Sequence, residues 1–304
     1  MTATTPPTTP TATPRTPPPA GAAAHATTRR AAPPARLPGT TRLAWSRTAF
    51  EVRTFFRERD AVVFVFAYPI LMLAIFATVF GTDDEVVAGS GVHFPQYFLP
   101  GMVATGVMLS SFQNLAISIA GERDDGTLKR LRSTPLPPAA YFLGKTGQVL
   151  VTAGVQTALL LAVAALVFDV PLPDDAARWG TFAWVFVLGT AAGAVCGVAY
   201  SSVPRTGRSA SPVVIPVVLV LQFVSGVFFR FDQLPTWMQQ VASVFPLKWM
   251  AQGMRSVFLP DAAVVVEPAG TWQHGATAAV LAAWLVAGLV VGVRTFRWRR
   301  RDDG

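Results

Sequence analysis

Cysteine is all but missing from this 304-residue sequence, and the one present, Cys196, lies inside a long apolar run. No intrachain disulfide can form. Histidine occurs three times, at His25, His93 and His274, in three separate regions, so spacing supplies no metal-ligand cluster. Charged residues make up 14% of the chain, well under the ~25% of an ordinary soluble domain. Six stretches contain no Asp, Glu, His, Lys or Arg: 61–80, 98–120, 147–168, 181–200, 213–229 and 276–293. Ion-coupled transporters place ionisable groups inside the membrane, and an intramembrane enzyme needs an acid, base or nucleophile there. Any energy for uphill movement must come from another polypeptide.

What is present is apolar. Hydrophobic residues reach 52%, with a mean hydropathy of +0.43. Each empty stretch is about the length needed to cross ~30 Å of hydrocarbon, where backbone groups must be satisfied within the segment, so each reads as a helix. The expected fold class is an all-α membrane protein. It has six transmembrane helices, an N-terminal amphipathic interfacial helix, and short outer re-entrant helices before the last span. Nine of the 25 Lys and Arg residues precede the first span, five fall in the second loop, two in the fourth and five at the C-terminal end. The remaining four lie in the other connections, beside acidic groups such as Asp83, Asp84, Glu85, Asp174 and Asp175. This asymmetry puts both termini and the loop at 121–146 in the cytoplasm. It also accounts for the net charge of +8 without a nucleic-acid partner.

Residues 1–38 are rich in Thr, Pro and Ala, and read as a disordered cytoplasmic tail or, less economically, a proline-rich ligand. Residues 1–60 lack the apolar core of a signal peptide. From 40 to 60 the sequence is amphipathic: Trp45, Ala49, Val52 and Phe56 share a stripe flanked by Arg53 and Arg57, with Leu43 and Phe50 opposite. It reads as an interfacial helix on membrane lipid or as an extension of the first span. Between the last two spans, 234–258 reads as two short helices broken at Pro246, with Trp237 and Trp249 as interface anchors. These dip into the outer leaflet, pack on the bundle, or gate an outer exit.

Several smaller patterns remain. Gly189, Gly193 and Gly197, and later Gly288 and Gly292, recur every fourth residue, for close helix packing or self-association. Ser110, Asn114 and Ser118 form a polar stripe on the second span, and Gln148, Thr152 and Gln156 another on the third. They serve interhelical hydrogen bonds or line a path for an amphiphilic substrate. Gly144-Lys145-Thr146 looks like the end of a phosphate-binding loop, but its first glycine position is Ala139. The three residues instead open the third span at the membrane surface.

The densest internal charge lies at Gly121-Glu-Arg-Asp-Asp-Gly-Thr-Leu-Lys-Arg-Leu-Arg-Ser-Thr-Pro135. Gly126 can take the left-handed conformation and Thr127 can cap a short helix. Leu128 and Leu131 then sit on one face as apolar knobs for a soluble partner, ringed by Lys129, Arg130 and Arg132. The run Glu122-Arg123-Asp124-Asp125-Gly126-Thr127-Leu128, with Leu131, Thr134-Pro135-Leu136 and Leu143-Gly144-Lys145, resembles the coupling segment of ABC-2-type transporter permeases. It is most similar to the daunorubicin-resistance type of actinobacterial drug exporter. Phe56-Arg-Glu-Arg-Asp60 and the 234–255 region fit as well, so the resemblance covers roughly 40–300. It implies a transmembrane domain over 39–300 in a bacterial plasma membrane, without a cofactor of its own. A cytoplasmic ABC ATPase would bind ATP and Mg, and a second permease copy, identical or paralogous, would complete the unit. The coupling role would fall to Glu122, Arg123, Gly126, Thr127, Leu128 and Leu131. The cargo implied is a hydrophobic drug, with a lipid or lipid-linked saccharide as the alternative, or a non-transport ATPase-linked sensor.

Overall fold

The structure, a computed structural model, describes residues 39–81 and 91–296. The 1–38 tail, His25, Asp83, Asp84 and Glu85 lie outside the described residues. Among the described residues the regular elements are helices: α1 (Thr40–Arg57), α2 (Arg59–Phe80), α3 (Phe94–Met108), α4 (Asn114–Asp124), α5 (Thr127–Arg132) and α6 (Pro138–Val167). They continue as α7 (Ala176–Tyr200), α8 (Gly207–Val224), α9 (Thr236–Val244), α10 (Pro246–Phe258) and α11 (His274–Thr295). A π-helical turn, Leu109–Gln113, joins α3 to α4, so Phe94–Asp124 runs as one 31-residue rod. That rod and α2, α6, α7, α8 and α11 are the six helices long and apolar enough to cross a membrane.

Helix ends differ from the apolar runs because polar residues continue a helix into headgroups and water. The third span begins at Pro138, nine residues before the apolar run, with proline in the first turn where its missing N–H costs nothing. The fifth begins at Gly207 behind a capping box in which Thr206 and Ser209 exchange side-chain bonds. It also ends at Val224, five residues short of the expected Phe229. Gly226 takes φ +69, turning the chain so that Val227 and Phe228 fold back into the core.

The core is a layer of apolar side chains shared mainly by α3, α6, α8 and α10. Phe76 of α2 stacks on Phe98 at 4.8 Å and on Phe228 at 5.7 Å. α10 is the most enclosed element: all 13 of its residues are buried against α3, α7 and α11. It therefore packs on the bundle. Trp237 on α9 is exposed, but Trp249 is buried and its Nε1–H donates to Ser243 O at 2.7 Å. Trp249 is thus a packing residue, not an interface anchor.

The spaced glycines all face other helices of this chain. A Cβ at Gly197 would lie 2.7 Å from Phe112 O and 3.0 Å from Ser111 O. The π-helical turn pushes those carbonyls toward α7, and only glycine admits them. Gly193 instead faces the Ser111 side chain, and Gly189 meets Met250 of α10. Gly288 sits on Val195 and Cys196, and Gly292 near Val198 and Ala199, bringing α11 close to α7.

Candidate functional site

One end of the bundle gathers α1, α5, the base of α6 and the loop between α7 and α8. α4 continues three residues beyond Gly121 and stops at Asp125, after which Gly126, at φ +81, turns the chain into α5. Gly126 itself is the N-cap. Thr127, expected to cap, is the first helical residue, and its N–H is satisfied by Asp125 Oδ1 at 2.8 Å. Ser133 and Thr134 hydroxyls donate back to Arg130 O and Leu131 O, closing the helix in a tight turn before Pro135.

Leu128 is 0% exposed. It lies in a cluster with Leu115, Ile119, Tyr141, Val149 and Ala194, with Leu131 and Leu136 packed beside it. Leu128 is therefore not a knob for a partner. A six-residue helix has too few contacts to hold itself, and it is fastened to the spans by its own leucine. The residues left on its outer surface are Lys129, Arg130, Arg132 and Ser133.

Glu122 and Arg123 also point inward. Tyr141 OH donates to Glu122 Oε2 at 2.8 Å, and Lys145 Nζ donates to Glu122 Oε1 and, at 2.8 Å, to Glu51 Oε2 on α1. Arg47 pairs with Glu51, and its guanidinium lies 5.5 Å from the Tyr141 ring centroid. Two cations and two carboxylates thus balance in a region where Lys145 is 3% and Glu51 5% exposed. Lys145, read from sequence as a surface residue opening the third span, is instead buried within α6. Glu51 was missed entirely: a lone carboxylate on an amphipathic helix looks like solvated surface until α1 is laid on α6. The only signal was its placement one turn after Arg47 on the face opposite Trp45.

Arg123 Nη2 donates to Pro204 O at 2.9 Å, and Asp124 Oδ2 accepts from Gly207 N–H at 3.1 Å at the start of α8. The root of α5 is thereby tied to α6, to α8 and the loop before it, and through Lys145 to α1. Phe296, just after α11, packs edge-on against Phe142 at 5.0 Å, bringing the end of the last span to the same face.

The two polar stripes separate. Gln148, Thr152 and Gln156 are buried within the bundle, and Gln156 abuts Gly106 of α3. Ser110 is buried as well. Asn114 and Ser118 instead line a cleft of about 240 Å³ with Glu58, Ala61, Phe64, Val65, Gln113, Ile117, Ser211 and Ile215. This cleft lies between α2, α4 and α8 and mixes aliphatic, aromatic, hydroxyl and amide groups with the Glu58 carboxylate. Among the described residues no group of His, Cys, Asp and Glu is placed to hold a metal.

At the other end of the bundle, Arg255 Nε donates to Glu267 Oε1 at 2.6 Å, both side chains being 1% exposed. Lys248 Nζ donates to Gln252 Oε1 and lies 3.6 Å from the Trp249 ring centroid and 5.2 Å from that of Phe231. Burial pushes its ammonium down to about 8, against the pull of Glu267, while Arg255 pushes the same way as burial.

Residues 42–259 match the family model described as ABC-2 type transporter. The chain is 23% identical over 193 residues to the inner membrane transport permease YadH of Escherichia coli K12, covering 63% of this chain and 74% of that protein. It is 23% identical over 181 residues to the probable multidrug ABC transporter permease YbhR of the same strain, covering 60% of this chain and 48% of YbhR. ABC transporter G family member 20 of Dictyostelium discoideum is 25% identical over 189 residues, which is 60% of this chain and 24% of that protein.

Proposed function

The chain belongs to the ABC-2 type transporter family, and from that premise we propose that it is the membrane-spanning subunit of an exporter whose ATP is hydrolysed by a separate cytoplasmic ATPase. The observation that carries the reading is the fastening of α5. A short helix at one end of the bundle is seated by Leu128 on α4, α6 and α7, and its root is tied by Glu122, Arg123 and Asp124 to α1, α6 and α8. A push on α5 therefore reaches most of the bundle through buried bonds, and the spans need no ionisable group of their own to take up energy.

The cargo is a hydrophobic or amphiphilic compound, in keeping with the mixed lining of the cleft at Asn114 and Ser118. A second permease copy completes the unit, and α1 lies along the cytoplasmic leaflet. Its outward side carries Trp45, Ala49 and Phe56 beside Arg42, Arg53 and Arg57, a pattern suited to anionic lipid.

The test is reconstitution with an ABC ATPase from the same organism. In liposomes the pair should move a fluorescent amphiphilic dye in an ATP-dependent way, and the permease should raise ATP hydrolysis several-fold. An ATPase that neither co-purifies nor responds to the permease would defeat the exporter reading. Stimulation by a lipid-linked saccharide but by no dye would defeat the drug assignment alone.

A further inference from the structure

We propose that the ATPase is gripped by charge: it presents an acidic surface to a basic platform that this chain builds from two loops, α5 and residues 201–208. The proposal rests on the reading that an ATPase docks at α5, and it specifies the chemistry of that contact.

The first support is what α5 has left to offer. Leu128 is consumed by the permease's own core, and Leu131 and Leu136 pack against the same cluster. The exposed side chains from 129 to 134 are Lys129, Arg130, Arg132, Ser133 and Thr134. The fully exposed groups there are cationic or hydroxyl, while Leu131 and Leu136 are half-buried in a groove they share with Pro138 and Tyr141.

The second support is the neighbouring loop. Arg123 and Asp124, just before α5, hold Pro204 and Gly207 through the two bonds described above. The loop they hold carries Arg205 and Arg208, both exposed. Five cations therefore share one platform. Against them stands Asp125, the exposed carboxylate of these segments, and its Oδ1 already accepts the Thr127 N–H. Such a concentration of one sign steers and orients a partner of the other sign.

A protein suits this platform better than a lipid surface does. α5 is held against the ends of the spans by Leu128, so what it turns outward decides what it meets. Its outward face has no aromatic or aliphatic side chain to enter the headgroup boundary. α1 does, with Trp45 77%, Phe50 57% and Phe56 43% exposed between its arginines. The chain thus assigns lipid contact and partner contact to different helices.

The experiment is co-purification of the full-length permease with the ABC ATPase used in that reconstitution, at salt concentrations from about 0.05 to 0.5 M, where the screening length shrinks from roughly 14 to 4 Å. ATPase retention should fall with salt. Reversal of Lys129, Arg130 and Arg132 to Glu should lower retention at least tenfold, and adding Arg205→Glu and Arg208→Glu should lower it further, with Arg130→Lys and Arg132→Lys retained. Retention that ignores both salt and charge reversal overturns the proposal while leaving an ATPase-driven permease intact. No retention by the unmodified chain at any salt defeats the functional reading itself. Reversed variants that keep the ATPase but lose binding to phosphatidylglycerol vesicles would assign the cations to lipid, and overturn it too. Should reversal disturb insertion, the neutral set Lys129→Gln, Arg130→Gln and Arg132→Gln at low salt decides: normal retention sinks the proposal, and a fall at unchanged abundance supports it.

Discussion

Lys145 Nζ stands 2.8 Å from Glu51 Oε2, joining two helices whose partners are 94 residues apart in sequence. The same ammonium reaches Glu122, so one lysine links the helix before the first span to the segment leading into α5. Lys145→Met would leave two carboxylates buried with Arg47 as their remaining cation. Breaking a buried network by removing one member costs about 3–5 kcal/mol, whereas replacing the whole set with uncharged groups is often near neutral. Lys145→Met should therefore lower the thermal midpoint in detergent more than the triple change Glu51→Gln, Glu122→Gln, Lys145→Met. A single variant no worse than the triple would show that these groups are not coupled.

Leu128 supplies the next prediction, and it reverses the expectation from sequence. Leu128→Asp puts a carboxylate into a site with no exposed surface, among Leu115, Ile119 and Val149. The cost should be several kcal/mol of fold stability. Permease abundance in the membrane should fall, and ATPase binding should fall only in proportion. Leu128→Met, similar in volume, should cost less than about 1.5 kcal/mol and keep both. Normal abundance of Leu128→Asp with selective loss of the ATPase would restore Leu128 to the docking surface.

The six spans were legible in the sequence because exclusion of charge over about 20 residues is a strong, local signal. Helix ends were not, since Pro138, Thr206 and Gly226 act through capping and turn geometry that hydropathy ignores. The buried ion network was hidden for a different reason. Glu51, Glu122 and Lys145 lie in three segments, and each alone reads as a solvated charge. Only the packing of α1 on α6 and of α4 beside it brings the three together. Leu128 was misread because spacing identifies an apolar face without saying whether that face meets a partner or the protein itself. Gly126 needed no such help, as its positive φ follows from the break between two helices.

Lys248 carries a pH dependence whose sign can be worked out. Its ammonium, at about 8 in the fold, is depressed below the ordinary lysine value of 10.5. The neighbours that set it are Glu267 and Arg255, with Gln252, Trp249 and Phe231 in contact. Because the fold disfavours the charged form, its penalty is fully present below pH 8 and is relieved as the pH rises toward 10.5, where the unfolded chain also loses the proton. Lys248 thus makes stability rise with pH across that window, by up to a few kcal/mol. Lys248→Met should be more stable than the unmodified chain at pH 7.5, and the gap between their thermal midpoints should narrow by pH 10. A gap that is constant or widens would contradict this assignment.

Orientation in the membrane gives the last test. The end of the bundle holding α1, α5 and Phe296 exposes Arg42, Arg53, Arg57, Arg59, Lys129, Arg130, Arg132, Arg205, Arg208 and Arg294. At the opposite end Lys248 and Arg255 are buried, while Arg178 and Arg230 are paired with Asp261 and Asp232. The exposed positive charge is therefore more one-sided in the fold than in the sequence, and the orientation expected from it has the α5 end in the cytoplasm. In a Cys196→Ala background, Thr271→Cys should react with a membrane-impermeant maleimide added to whole cells, because Thr271 is exposed at the far end, beside Gln252. Ser133→Cys, exposed just after α5, should react only once the cells are opened. Labelling of position 133 in intact cells, with position 271 protected, would invert the topology and place α5 beyond the reach of any cytoplasmic ATPase.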